Sequence, residues 1–251
     1  MLLPTINIEH ATDGTSEMGN RLGRLPALDF RDRQFLLSPP EATEIDRMSR
    51  HWITAKALDQ GNFPHCVAYS GEQFLLSSPV KNLAYKTPRE LYDECQAIDE
   101  WKDVPHDGTS VRALFKVLRA KGYIESWQNA FDVDVMIRQV MMVSPVVVGL
   151  NWYQGMFRTS RFTSFHNKKV DNAHFIHVAG RVAGGHAVMV KGLNLERPCP
   201  DGSIGAFRLI NSWGSWGDVG KCWISIPDMS RLISEWGEIA TSKEIRFRPV
   251  G

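Results

Sequence analysis

The chain changes texture at Pro145, and that change limits what it can fold into. Upstream, apolar residues recur at helical spacing in successive segments. "TPRELYDECQAI" carries Thr87 as an N-cap, Pro88 at the first helical position and Glu90 to complete a capping box. "DGTSVRALFKVLRAKGYI" puts Val111, Leu114, Phe115 and Leu118 on one stripe, capped by Thr109 or Ser110 and stopped by Gly122. "DVDVMIRQVMMVS" starts a further helix at Asp132 or Asp134. Downstream, "PVVVGLNW", "GGHAVMVKGLN", "GAFRLINSW" and "KCWISIP" are β-branched or aromatic runs separated by Gly-rich turns, which predicts strands. Helices first and strands later implies an α+β protein with two segregated lobes. The helical lobe is expected over about residues 40–143 and the β lobe over about 144–251. A cleft between such lobes is a natural substrate site.

Two further segments complete the layout. "PPEATEIDRMSRHWI" reads as a short helix after Pro40. Residues 1–27 read as an irregular arm ahead of a domain spanning 28–251, laid on that domain or on an assembly partner. With 29 basic and 28 acidic residues, the net charge of +1 favours neither nucleic acid nor an anionic membrane as a partner. No apolar run approaches the ~20 residues of a membrane span. The start lacks a basic n-region, so no secretory signal is expected and the chain is expected in the cytoplasm or inside a macromolecular assembly such as a viral one. None of the four cysteines forms a CxxC pair, so no metal site of that kind and no cofactor is expected.

The residues that carry chemistry begin with "DQGNFPHCVAYS". Cys66 stands where a polar loop meets an apolar helical run. A thiol in the first turn of a helix meets unpaired N–H groups and the positive end of the dipole, which favour the thiolate. A small buried hydrophobe is the alternative at this position. His186, in "AGGHAVMV", heads a strand behind two glycines. His174 and His177 are rivals, but three residues apart in a strand they face opposite ways, against a metal pair. Asn211, in "LINSWGSWGDVGKCWIS", stands at a strand end where its side-chain carbonyl can accept an imidazole N–H, with tryptophans to shield the contact.

Together, "DQGNFPHCVAYS", "GGHAVMVKG" and "INSWGSWGDVGKCWI" resemble the nucleophile, histidine and asparagine segments of papain-like cysteine proteases. The order Cys, His, Asn is that family's, with His186 and Asn211 lying 120 and 145 residues after Cys66. The resemblance runs from about residue 28 to the end. It implies a two-lobed papain-like fold and a cysteine endopeptidase acting through a thioester. Cys66 is then the nucleophile, His186 its base and acid, and Asn211 the residue that orients His186. Trp213 covers that contact, and Gln60 donates to the oxyanion hole. Gly108 is implied to pair its backbone with extended substrate, and Val146 and Val148 to approach the main specificity pocket. The chain departs from the family pattern at Phe63, His65 and Val67. His65 is expected to narrow the cleft or to add a second titrating group beside Cys66. The family's long pro-region is not expected in this chain. The other reading is a papain-like assembly component with restricted or lost proteolysis.

Overall fold

The computed structural model describes residues 21–27, 36–38, 48–80, 84–166 and 169–243. Upstream of Pro145 lie helices α1 (Cys66–Leu75), α2 (Pro88–Gln96), α3 (Val111–Ala120) and α4 (Val133–Met142). The strands are β1 (Ser49–His51), β2 (Trp127–Ala130), β3 (Val146–Tyr153), β4 (Ser160–His166), β5 (Lys169–Phe175), β6 (Val182–Pro198), β7 (Ile204–Ile210), β8 (Lys221–Ser225) and β9 (Glu238–Ser242), with helix α5 (Ile226–Ser234) between the last two. They form one sheet in the order β2-β9-β3-β6-β7-β8-β5-β4, with β1 added to β6. Every pairing is antiparallel except the short contact of β5 with β8.

Helices α2, α3 and α4 each start on a side-chain cap. Thr87 accepts the Glu90 N–H, Ser110 accepts the Ala113 N–H, and Asp132 accepts the N–H groups of Asp134 and Val135. Glu90 receives the Thr87 hydroxyl at 2.9 Å, so the Glu side chain meets the capping hydroxyl. Gly122 stops α3 with φ +75°. Gly71, a poor helix former, is explained by packing. A Cβ there would stand 2.4 Å from Leu114, so the glycine lets α1 and α3 approach closely.

Two cores follow from this order. One packs α1, α2 and α3 against the face of the sheet carrying Val147, Ala187, Met189, Ile210 and Ala240. The other packs the opposite face, with Val146, Val148, Leu150, Val188 and Val190, against α4 and α5. Each fully buried Leu or Phe, such as Leu114, Phe115 and Leu118, contributes roughly 1.5–3 kcal/mol.

The expected helix after Pro40 is corrected where it is described. Ser49–His51 is a strand paired with Asn194–Gly192, because sheet pairing and the burial of Trp52, whose indole N–H donates to Val140 O, override the local pattern. Residues 39–47 of that segment lie outside the described residues. Among the described residues, no helix is long and apolar enough to cross a membrane.

Candidate active site

Cys66 is the first residue of α1, and His65 before it supplies no side-chain cap. The first-turn N–H groups therefore remain available to the sulfur. Backbone N–H groups of Ala187, Gly23 and, from the first turn itself, Val67 favour the thiolate, yet burial outweighs them and pushes the thiol up to about 12. The Ala187 contact sets Cys66 against the strand that carries His186.

His186 is held from one side only. Its Nε2 lies 2.9 Å from Asn211 Oδ1, which also accepts the Ser212 N–H at 2.8 Å. An amide oxygen can only accept, so Nε2 carries the proton and Nδ1 holds the lone pair. Nδ1 is buried and has no hydrogen-bond partner among the described residues. Aromatic rings enclose the pair. Trp152 meets the imidazole edge-on at 4.6 Å and Trp213 lies at 4.7 Å, backed in turn by Phe157 and Trp216. Burial lowers His186 to about 4, against the opposing hydrogen bond to Asn211. The resting pair is a neutral thiol beside a neutral imidazole.

Gln60 joins the two lobes at the site. Its N–H donates to Ser212 O at 2.9 Å, and Gly214 N–H donates to Leu58 O at 3.1 Å. Ser212 Oγ donates to Gln60 Oε1 at 2.6 Å, which fixes the amide with its nitrogen outward. Gln60 Nε2 donates to Phe63 O at 2.6 Å and to Arg21 O at 2.8 Å.

That second acceptor belongs to the N-terminal segment, which lies across the cleft. The N–H groups of Gly23 and Arg24 both donate to Gly185 O at 3.0 Å. Gly23 O accepts the Thr109 N–H at 2.8 Å, and the Leu25 N–H donates to Thr109 O at 2.9 Å, a parallel bridge. Residue 23 must be glycine here, since a Cβ would stand 2.0 Å from Pro64 O. Arg24 is inserted beside β3 and β9, its side chain fully buried. Its Nε donates to Glu238 Oε1 at 2.9 Å and its Nη2 to Trp236 O at 2.8 Å. Gly149, paired with Glu238, makes the room: a Cβ would lie 2.7 Å from Arg24 Nε. Trp236 holds φ +71°, a strained left-handed conformation for a non-glycine residue, at the point where its carbonyl receives Arg24.

The structure brings together Cys66, His186, Asn211, Gln60 and Trp213. Three other expectations change. Gly108 does not pair with the segment; its N–H donates to Tyr92 Oη and its carbonyl accepts from Gln96, while Thr109 makes the strand contacts. Gly108 is needed for space, because a Cβ would stand 2.3 Å from Gly23 O. Val146 and Val148 face the core on the far side of the sheet, since residues of one parity share a face, and Gly149 is the β3 residue at the pocket. His65 is buried between the rings of Phe63 and Tyr92, with its pKa lowered by burial and by Arg89. His174 and His177 bond Thr159 and Ser160, and no group of metal-ligating side chains occurs among the described residues.

Arg24, Glu238, Gly149, Ser212 and Trp152 were not singled out from the sequence. The signal for Ser212 was its place beside Asn211; Arg24 and Glu238 meet only across 214 residues of chain.

Comparison with solved structures places this architecture. Xylellain, a cysteine protease from Xylella fastidiosa, matches with a TM-score of 0.58 at 18% identity, over 88% of this chain and 94% of that one. The digestive procathepsin L2 proteinase of Tenebrio molitor larval midgut matches with a TM-score of 0.64 at 14% identity, over 92% and 81%. The procathepsin B S9 of Trypanosoma congolense matches with a TM-score of 0.58 at 13% identity, over 90% and 87%. The chain has the papain-like fold. No family model and no curated protein sequence matches it. In this papain-like fold the helix that starts at Cys66, the strand that carries His186 and the turn that carries Asn211 meet at the boundary of the two cores, under residues 21–25.

Proposed function

We propose that the chain is a cysteine endopeptidase held latent by its own residues 21–25. The observation that carries this reading is the buried imidazole beside Cys66, with Nε2 fixed by Asn211 and Nδ1 left unbonded. Once the segment leaves and water enters, the cost of charging both groups falls. The Cys66 proton passes to His186 Nδ1 and the sulfur attacks a peptide carbonyl carbon. The carbonyl oxygen takes up the negative charge and receives hydrogen bonds from Gln60 Nε2, vacated by Arg21 O, and from the Cys66 N–H. Collapse breaks the C–N bond, and the Nδ1 proton goes to the leaving amine. His186 then takes a proton from water, whose oxygen attacks the thioester and restores the thiol.

The pocket that receives Arg24 names a substrate class. A guanidinium fits against Glu238 and Trp236 O, so peptides with an arginine near the cleaved bond are the expected substrates. The described part of the arm rests on the chain's own cleft, which favours restraint in cis over a role for an assembly partner. A positional-scanning peptide library, presented to Arg24→Ala with Cys66→Ala as control, tests the reading. Cleavage that requires Cys66 and selects arginine at one position is expected. Cleavage without arginine selection overturns the substrate class alone, and no cleavage by any variant overturns the peptidase.

A further inference from the structure

A second concave site lies on β1, β5, β6, β7 and β8 and shares no residue with the one above. It is a cavity of about 380 Å³. Lys191, Arg197, Arg208 and Lys221 converge on it, against only two carboxylates, Asp171 and Asp218. Those carboxylates are already engaged, Asp171 by Arg197 and Asp218 by Arg208. Lys191 and Lys221 have no ion-pair partner among the described residues, so the cavity holds two positive charges in excess.

The arrangement is built rather than incidental. The register of β6 against β7 shifts between Val190 and Gly192, so Lys191 is the extra residue of a bulge, and its carbonyl is held by the Trp52 N–H at 2.8 Å. Bulges re-aim a side chain relative to the regular pleat. The guanidiniums of Arg197 and Arg208 both lie over one indole, 3.9 and 5.1 Å from the Trp223 ring centroid. Trp223 is itself buried, and His51 packs edge-on against it at 5.5 Å. Arg197 is buried, and its Nε has no hydrogen-bond partner. Burial and the charges of Lys221 and Arg208 lower the pKa of Lys191, the mark of cations crowded together. Like charges that converge in a partly enclosed site destabilise the fold unless a counter-charge joins them.

The geometry points to a binding site for a small phosphate-bearing molecule, whose dianionic group Lys191 and Lys221 would neutralise while the Trp223-stacked Arg197 and Arg208 present their N–H donors. Two excess cations match a doubly charged group, and the cavity is large enough for a phosphate ester. The inference does not rest on the peptidase reading, since none of these residues touches Cys66 or His186.

The test is thermal unfolding of the full chain in rising inorganic phosphate, against chloride at matched ionic strength, with glycerol phosphate as a second arm. Saturable stabilisation by phosphate beyond that of chloride is expected, because a ligand bound only by the folded state raises Tm. A larger effect of glycerol phosphate assigns the site to esters; an equal effect assigns it to the phosphate group alone. Lys191→Gln and Lys221→Gln, made singly, should each weaken the phosphate effect by at least about tenfold in half-saturating concentration. Without phosphate each variant should unfold at a Tm equal to or above that of the unaltered chain, because repulsion is relieved. Equal stabilisation by phosphate and chloride overturns the site, as does an undiminished phosphate effect in both variants. A Tm drop in both variants without phosphate refutes the crowding on which it rests.

Discussion

Replacing Arg24 by alanine separates the latch from the rest of the fold. Arg24 donates from Nε to Glu238 and from Nη2 to Trp236 O, with its side chain fully buried. Removing one partner of a buried ion pair costs about 3–5 kcal/mol. The lower end applies here, because Nη1 is buried without a partner and Glu238 has a further contact. A loss of about 3 kcal/mol from the closed state alone raises the open fraction roughly 100-fold or more. The backbone contacts of Gly23 and Arg24 to Gly185, and of Leu25 to Thr109, remain, so the segment is loosened rather than abolished. The assay is the rate at which iodoacetamide modifies Cys66, read by peptide mass spectrometry at neutral pH. Cys66 should react slowly in the unaltered chain and about 100-fold faster in Arg24→Ala, up to the rate of the fully open cleft. Cys95 and Cys222, buried in the two cores, should react at one unchanged rate in both proteins. Equal rates at Cys66, or an acceleration shared by all the thiols, would falsify the latch.

Other perturbations probe the same site. Gly23→Ala drives a Cβ into the Pro64 carbonyl and should speed Cys66 modification as Arg24→Ala does. Gln60→Ala, tested in the Arg24→Ala background, should lower kcat by about 100–1,000-fold with little change in KM; a KM effect alone would assign Gln60 to binding. Burial of neutral His186 lowers its pKa from 6.5 to about 4. The unfolded chain then binds a proton that the folded chain refuses, so stability is fully present above pH 6.5 and falls as pH drops towards 4, by about 3 kcal/mol for this residue. Urea unfolding at pH 7.5 and pH 4.5 measures it, and His186→Gln should flatten the difference. Gly149→Ala fills the space beside Arg24 Nε, so arginine selection should weaken while cleavage continues.

Periodicity made much of this legible. Helices α2, α3 and α4 and the strands β3, β6, β7 and β8 stand where caps and β-branched runs put them, because those signals are local; α5 was not singled out from the sequence. Strands β2 and β9 escaped notice, since four or five residues that pair across more than 100 positions carry little pattern of their own. The same limit applied to the site. Cys66, His186, Asn211 and Gln60 lie in segments with a spacing to read. Val146 faces away from the cleft, which its segment does not reveal, because a strand buried on both faces over its first five residues shows no alternation to fix which side faces it. Arg24 sits in a Gly- and Pro-containing stretch whose role appears only when Gly23, Gly108, Gly149 and Gly185 are seen to open space for one extended chain.

The central claim is that Cys66 is the nucleophile of a peptidase whose cleft its own residues 21–25 fill. The direct measurement uses a peptidyl acyloxymethyl ketone bearing arginine, added to the unaltered chain and to Arg24→Ala, with the adduct mapped by mass spectrometry. A single adduct on Cys66, formed far faster in Arg24→Ala and lost in His186→Gln, is predicted. Adducts on Cys95, Cys199 or Cys222, or a Cys66 adduct formed equally fast in all three proteins, would contradict the account.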